Sequence, residues 1–301
     1  MAVKPVRRLQ APTGPELYDR MAALVLYDLP WRSQLEPVER QHPELIVRRG
    51  DNVLAAVPAG DVRLAYSFRG DRDFVELFAG MFEELMPRVG RAATGDTLRF
   101  RLTHSPSRPV VEPVLRKLWF SPAPDQWRFQ MSRTDAAPKA AAPKGARLRA
   151  ATIADAAAFE RVDADAFPGT PMPLTRIREL LRAGHSWIAV SGAETAGACL
   201  CSMPDPGEGF IHTLAVAETS RGRGVGAALT SRAIRELFHS GAGRVSLTTN
   251  ADNAPAIALY RKLGFEAAQT GRVYTRPADE AQIERLKQEH RGVHIKFGGW
   301  R

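Results

Sequence analysis

The chain has 301 residues, 44% of them hydrophobic and 25% charged, with 42 lysines and arginines against 33 aspartates and glutamates. That length accommodates two domains of ordinary size, and that composition excludes the disordered, collagen-like and disulfide-scaffold classes. No apolar run reaches membrane-spanning length and no signal-peptide pattern stands at Met1-Ala2-Val3-Lys4-Pro5, which predicts a cytoplasmic chain without a membrane partner. The net charge of +9 is spread over Arg7-Arg8, Arg48-Arg49, Arg147-Arg149 and Arg176-Arg178. A nucleic-acid binder gathers its cations on one helix or tail with aromatics between them, so these arginines read as a solvated surface and nucleic acid is not an expected partner.

In chain order, Arg8-Leu9-Gln10-Ala11-Pro12-Thr13 leads into a first helix. Val62, Leu64, Tyr66 and Phe68 alternate as a strand, Phe74 to Met86 has helical periodicity, and Leu98, Phe100 and Leu102 alternate as another strand. Val114 to Phe120 follows, and residues 134–145, small, polar and punctuated by Pro138 and Pro143, predict a linker. Beyond it the pattern returns: Arg147 to Thr152 mirrors Arg8 to Thr13, and Leu259 to Phe265 mirrors Val114 to Phe120 at an offset of 145 residues. A helix is predicted from Leu174 to Ala183, after the proline-rich connector Phe167 to Pro173. Cys199 and Cys201 share one face of a probable strand, at a spacing suited to neither a disulfide nor, without further ligands, a metal, so they read as small core residues. The tail beyond Pro277 predicts a helix over 278–289 and a strand over 293–297.

The most informative stretch is the strand Phe210 to Val216, the turn Arg221-Gly222-Arg223-Gly224-Val225-Gly226, and a helix marked by Leu229, Ala233 and Leu237. Glycines permit a tight turn and close backbone approach, and the unpaired N–H groups of a helix's first turn attract an anion, so this is a seat for phosphate or pyrophosphate. A P-loop lysine is missing. Gly222-x-Gly224-x-x-Ala227 satisfies a loose dinucleotide pattern, but the next strand, Arg244 to Asn250, ends without the acidic residue that fold needs.

With Leu214-Ala215-Val216 ahead of it, this loop resembles the acetyl-CoA loop of the GCN5-related N-acetyltransferase (GNAT) superfamily, and Asn253 to Phe265 resembles that family's Asn-x-x-Ala-x-x-x-Tyr-x-x-x-Gly-Phe motif. The resemblance covers roughly Ala146 to Arg276; Glu218 stands where a proline is common, ahead of the glycines. It implies an α/β protein of two tandem GNAT folds, each a mixed, mostly antiparallel sheet flanked by helices. The expected divisions are a degenerate copy at 1–134, a linker at 135–145, and a catalytic copy with a C-terminal extension at 146–301. In the first copy the turn is Arg69-Gly70-Asp71-Arg72-Asp73, whose carboxylates repel a pyrophosphate, with Leu115 at the place of Tyr260 and Trp119 at that of Gly264.

The resemblance further implies acetyl-CoA as co-substrate, no metal, and direct attack of an amine on the thioester in a ternary complex. Leu214, Ala215 and Val216 then face pantetheine through their main chain, and Arg221, Gly222, Arg223, Gly224, Val225, Gly226 and Ala227 hold the diphosphate. Tyr260 is the candidate acid for the departing thiolate, although Ala256, Tyr260 and Leu263 share a helical face and a packed tyrosine explains it equally in isolation. Asn253 reads as a helix cap or a coenzyme contact. His212 is the candidate base, with a buried core histidine as its alternative unless the strand bulges there; Glu208 and Glu218 are further options. The acceptor expected is a small-molecule amine, and the tandem organisation is similar to that of the mycothiol synthases; protein acetylation is a further option. A coenzyme-sensing or basic binding protein is the reading from another class, and the expected state is a monomer or homodimer.

Overall fold

The computed structural model describes residues 26–29, 32–59, 61–92, 97–103, 105–133, 138–169 and 171–290. The first half contains β1 (Leu26–Asp28), α1 (Arg32–Gln41), β2 (Ile46–Arg49), β3 (Asn52–Ala59), β4 (Asp61–Phe68), α2 (Asp71–Ala92), β5 (Thr97–Leu102), α3 (Arg108–Lys117) and β6 (Ser121–Ser132). The second contains β7 (Arg147–Ala150), α4 (Ala156–Ala166), α5 (Leu174–Arg182), β8 (Trp187–Ser191), β9 (Glu194–Asp205), β10 (Glu208–Val216), α6 (Val225–His239), β11 (Arg244–Asn250), α7 (Ala254–Lys262), β12 (Glu266–Pro277) and α8 (Glu280–His290). The expected segment 8–13 and the tail strand 293–297 lie outside the described residues. Among these elements no helix is long and apolar enough to cross a membrane.

The mixed, mostly antiparallel sheet flanked by helices is present, but the two halves share it. Twelve strands form one sheet, ordered β2-β3-β4-β5-β12-β6-β11-β10-β9-β8-β7, with β1 on β4. The expectation of one separate sheet per half is thus corrected by an exchange of last strands. β6, from the first half, pairs antiparallel with β11 from Arg244↔Ser132 to Asn250↔Gln126. β12, from the second half, pairs antiparallel with β5 from Arg272↔Leu102 to Pro277↔Thr97. The two exchanged strands also pair with each other.

The physical cause is burial of one aromatic on each exchanged strand. Phe129 of β6 is 0% exposed within the second half's core, with its ring 6.0 Å from that of Tyr260. Tyr274 of β12, 145 residues later, is 0% exposed within the first half's core, its ring 6.3 Å from Phe100. Fully burying a side chain of this size favours folding by about 2 kcal/mol or more, so each half is stabilised by the other's strand.

The internal duplication reaches the hydrogen bonds. At the end of α3, the N–H of Trp119 donates to Arg116 and that of Phe120 to Leu115; at the end of α7, Gly264 donates to Arg261 and Phe265 to Tyr260. Trp119 and Gly264 both stand at positive φ, 67° and 93°. The linker is laid against the second half: the N–H of Ala140 donates to Ser231 Oγ and that of Lys144 to the carbonyl of Arg223.

Truncating Phe129 to Ala should destabilise the second half although the residue belongs to the first. We expect a loss of about 3 kcal/mol or more in urea unfolding monitored by far-UV circular dichroism. A change below about 0.5 kcal/mol would show that the exchanged strand is not anchored through this ring.

Candidate active site

The parallel pairs set the geometry. β10 runs beside β11 only from Glu208↔Arg244 to Ile211↔Leu247, and then the two strands part. Past that point β10 stays bonded to β9, from Thr213↔Leu200 to Val216↔Gly197, so its edge towards β11 is left open. Main-chain groups on an open edge are available to a ligand laid along it. Leu214, Ala215 and Val216 form this edge.

A bulge stands at the start of the divergence, where the register against β9 shifts between Ile211 and Thr213. It reverses the faces of the strand. Gly209 and Ile211 face α6, as do Leu214 and Val216, whereas Thr213 reaches Asp163 on α4 and Ala215 packs with α4 and α5. Simple alternation of Phe210, His212, Leu214 and Val216 on one face therefore fails, because the bulge interrupts the two-residue period.

Past Val216, a short 3-10 turn at Glu218–Ser220 leads into the glycine loop. Gly222 and Gly224 adopt φ of 72° and 82°, which a residue with Cβ adopts only at a cost. The N–H groups of residues 222–227 find no acceptor among the described residues; the helical ladder opens with Ala228 donating to Gly224. Arg221, Gly222, Arg223 and Gly224 are exposed, while Val225 is buried beneath them and Gly226 and Ala227 are half-buried. Gly197 brings α6 this close to the sheet: a Cβ there would stand 2.9 Å from the carbonyl oxygen of Ala215 and 3.0 Å from Val225.

The divergence opens into a cavity of about 1340 Å³, whose walls include His212, Leu214, Asn253 and Tyr260. Ala215, Val216 and the glycine loop are not among the lining residues. Tyr260 is 6% exposed, between the rings of Phe129 and Phe265, and burial pushes its hydroxyl pKa up. It is a protonated phenol throughout the working pH range. Asn253 caps α7, its Oδ1 accepting from the N–H of Ala256 at 3.2 Å.

His212, the residue in the bulge, has Nε2 2.8 Å from Ser202 Oγ and its ring against Phe210. Burial, with Arg176 nearby, lowers its pKa to about 3. The imidazole is neutral near pH 7, but a conjugate acid this strong makes it a weak base for an amine. The other two options fare no better: Glu208 accepts from Nε and Nη2 of Arg244, at 3.1 and 2.5 Å, and Glu218 sits in the exposed turn outside the cavity. Cys199 and Cys201 are buried free thiols 3.6 Å apart.

Sequence reasoning missed Asp163. Its carboxylate accepts from Thr213 Oγ1 at 3.0 Å and from the N–H of Met172 at 2.7 Å, fixing the connector Phe167 to Pro173 against the cavity. It also missed Arg63, Arg101 and Arg128, half-buried residues that line the same cavity, and Arg99, which lines it from an exposed position. Their signal was present: each stands between apolar residues of a strand, as in Leu98-Arg99-Phe100-Arg101-Leu102. In the first half the corresponding helix start carries carboxylates. Asp71 and Asp73 occupy the first turn of α2, and Asn52 bonds both the Asp73 carboxylate and the N–H of Arg69.

Comparison with known proteins agrees with this geometry. Residues 154–265 match the model of the Acetyltransferase (GNAT) family. A mycothiol acetyltransferase of Pseudarthrobacter chlorophenolicus is 32% identical over 163 residues, covering 48% of this chain and 50% of that protein. One from Beutenbergia cavernae is 38% identical over 138 residues, covering 41% and 46%. The chain spans about half the length of the curated relatives it matches. Among solved structures, a tandem GNAT protein from the clavulanic acid biosynthesis pathway superposes with a TM-score of 0.59 at 17% identity, over 87% of this chain and 93% of that one. A GCN5-related N-acetyltransferase from Sphaerobacter thermophilus gives 0.59 at 20% identity, over 75% and 76%. The matched residues, 154–265, run from α4 through the glycine loop to the end of α7, so the open edge and the loop fall within the part that is similar to GNAT proteins. As a whole, the chain has the tandem GNAT fold.

The lowered pKa of His212 makes a pH prediction. A histidine harder to protonate when folded contributes stability that is present above its unfolded pKa, near 6.5, and is lost as the pH falls towards 3. His212→Gln should therefore flatten the decline in Tm between about pH 6.5 and pH 4. An unchanged slope would mean that His212 is not the group responsible.

Proposed function

We propose that the chain transfers an acetyl group from acetyl-CoA to a primary amine of a small molecule, by direct attack within a ternary complex. The observation that carries this reading is the conjunction of the open edge of β10, the unpaired N–H groups of residues 222–227, and the phenol of Tyr260 in one cavity wall. The co-substrate supplies an activated thioester; the protein supplies position and protons. The residues fit it: the loop has the glycine conformations and free donors that a diphosphate needs, with Arg221 and Arg223 adding positive charge.

In this reading Leu214, Ala215 and Val216 offer main-chain groups along the pantetheine arm, and Asn253 fixes the start of α7 beside it. Tyr260 donates a hydrogen bond to the sulfur as the thiolate departs, which suits a phenol that burial keeps protonated. His212, neutral and tied to Ser202, is proposed to orient the amine or a water rather than to hold its proton. The amine nitrogen then loses its proton to solvent through the wide cavity. Residues up to about 134 are proposed as a copy without chemistry of its own, since Asp71 and Asp73 in the first turn of α2 would repel a diphosphate.

Mycothiol acetyltransferases are relatives over half their length, which supports a small-molecule acceptor in this chain. An acceptor screen with CoA release as readout tests the activity; no amine acetylated, with acetyl-CoA bound, would overturn it in favour of coenzyme sensing. Tyr260→Phe should lower kcat about 100-fold and leave the KM for acetyl-CoA within about two-fold. Unchanged turnover would remove Tyr260 from the chemistry. Gly224→Val should instead weaken acetyl-CoA binding about ten-fold or more in calorimetry, because the left-handed turn and the donors it aims are lost together; unaltered binding would separate the loop from the coenzyme.

A further inference from the structure

Seven arginines and three carboxylates line the whole cavity, so its walls are cationic. Several of these arginines are neutralised locally: Arg63 pairs with Asp28 at 2.8 Å, Arg244 with Glu208, and Arg176 with Glu179 at 2.6 Å. Two of the three carboxylates are spent on neutral donors. Asp163 takes Thr213 and Met172, and Asp205 takes the N–H groups of Arg32 and Ser33 at the start of α1, both at 2.8 Å.

Arg101 is left over. Its Nε and Nη2 are buried and have no hydrogen-bond partner among the described residues; Asp28, already paired with Arg63, attracts it without bonding it. It stands on β5 beside Gly271 of the exchanged strand β12, where a Cβ would come within 3.4 Å of its Nε. Arg128, on the exchanged strand β6, donates to Ser246 Oγ at 3.2 Å and is attracted by Glu208, but lies near enough to be repelled by Arg101, Arg244 and Arg63. Burying a guanidinium without a partner is costly, and gathering several raises that cost; an oxyanion placed among them removes both penalties. The fork of an arginine matches carboxylate and phosphate oxygens alike.

We infer that the acceptor is an anionic amine, whose carboxylate or phosphate is held by Arg101 with Arg128 beside it, while its amino group lies at the Leu214–Tyr260 end of the same cavity. This rests on the acetyltransferase reading of that cavity and adds the chemical class of its substrate. The coenzyme's own phosphates are the competing occupant. They are assigned elsewhere, to the loop at residues 221–227, which does not line the cavity.

Two measurements on the full chain decide it. In the first, the protein saturated with CoA is titrated with inorganic phosphate and with acetate, and Tm is followed. An anion should raise the Tm of the wild type and leave that of Arg101→Gln unmoved. Phosphate that protects before CoA is added but not after would give the cluster to the coenzyme and overturn the inference. In the second, ethanolamine, β-alanine and O-phosphoethanolamine are compared as acceptors by CoA release. The two anionic amines should exceed the neutral one in kcat/KM by about ten-fold or more, and R101Q should erase that preference. The ratio between β-alanine and O-phosphoethanolamine separates carboxylate from phosphate. Equal use of all three by both proteins would overturn the inference while leaving the activity intact. Failure to acetylate any amine, with phosphate still protecting the CoA-bound wild type but not R101Q, would instead sink the activity and keep the anion site. Should R101Q fail to fold, Arg101→Lys serves: it keeps the charge, loses the fork, and should reduce the preference about three-fold or more. An unchanged preference in R101K, with phosphate protection as in the wild type, would overturn the role given to Arg101.

Discussion

β11 is hydrogen-bonded to β10 for four residues, from Arg244 to Leu247, and then must find another neighbour. A strand that leaves its partner exposes unpaired main chain on that side, and it stays in a sheet only if its opposite edge is well covered. In this chain the cover is β6, paired with β11 over its whole length from Arg244 to Asn250 and contributed by the other half of the molecule. The open notch, the bulge at His212 and the cavity beyond all depend on that pairing. It also makes the first half indispensable to the second: without β6 the notch would have one wall only, and the core under Tyr260 would lack Phe129.

The same exchange explains where the charge lies. Each strand near the junction alternates, and its apolar residues are committed to the helices on one side. Leu98, Phe100 and Leu102 are buried, as is Phe129, so Arg99, Arg101 and Arg128 are turned to the opposite face. Two strand ladders that would each have carried a modest basic face are brought edge to edge, and their guanidinium groups meet in one cavity. Local carboxylates offset part of the repulsion, Asp28 at Arg63 and Glu208 at Arg244. Arg101 feels Asp28 only at a distance, since its Nε and Nη2 are buried without a hydrogen-bond partner among the described residues.

How much of this the sequence disclosed follows from the range of the interactions involved. The glycine loop, the cap at Asn253 and the repeat at an offset of 145 are local signals, carried by a few adjacent residues, and each was readable. The bulge was not, because alternation of Phe210, His212, Leu214 and Val216 looks the same whether or not one residue slips out of register. Strand exchange was also hidden: Phe129 and Tyr274 announce two buried strands, but nothing local states whose core each will enter. The arginines fell between these cases. Their alternation with apolar residues was visible, yet reading it as a lined cavity required knowing which strands become neighbours.

The two copies can be compared with each other, and their differences are not random with respect to position. Positions that join the halves retain their character: Phe129 and Tyr274 are both buried aromatics, and the last turns of α3 and α7 keep the same hydrogen bonds. Trp119 even keeps the positive φ that Gly264 adopts freely, a conformation with a cost of about 1 kcal/mol or more for a residue of that size. Positions at the helix start have diverged. The exposed, basic turn Arg221 to Gly224 is matched in the other copy by a turn that leads into Asp71 and Asp73, whose carboxylates stand in the first turn of α2. Carboxylates there complement the positive end of a helix and repel an outside anion, whereas a first turn without them keeps its attraction for one. The two halves thus keep in common the strands that join them and differ at the helix start that follows the fourth strand of each, acidic in one and basic in the other.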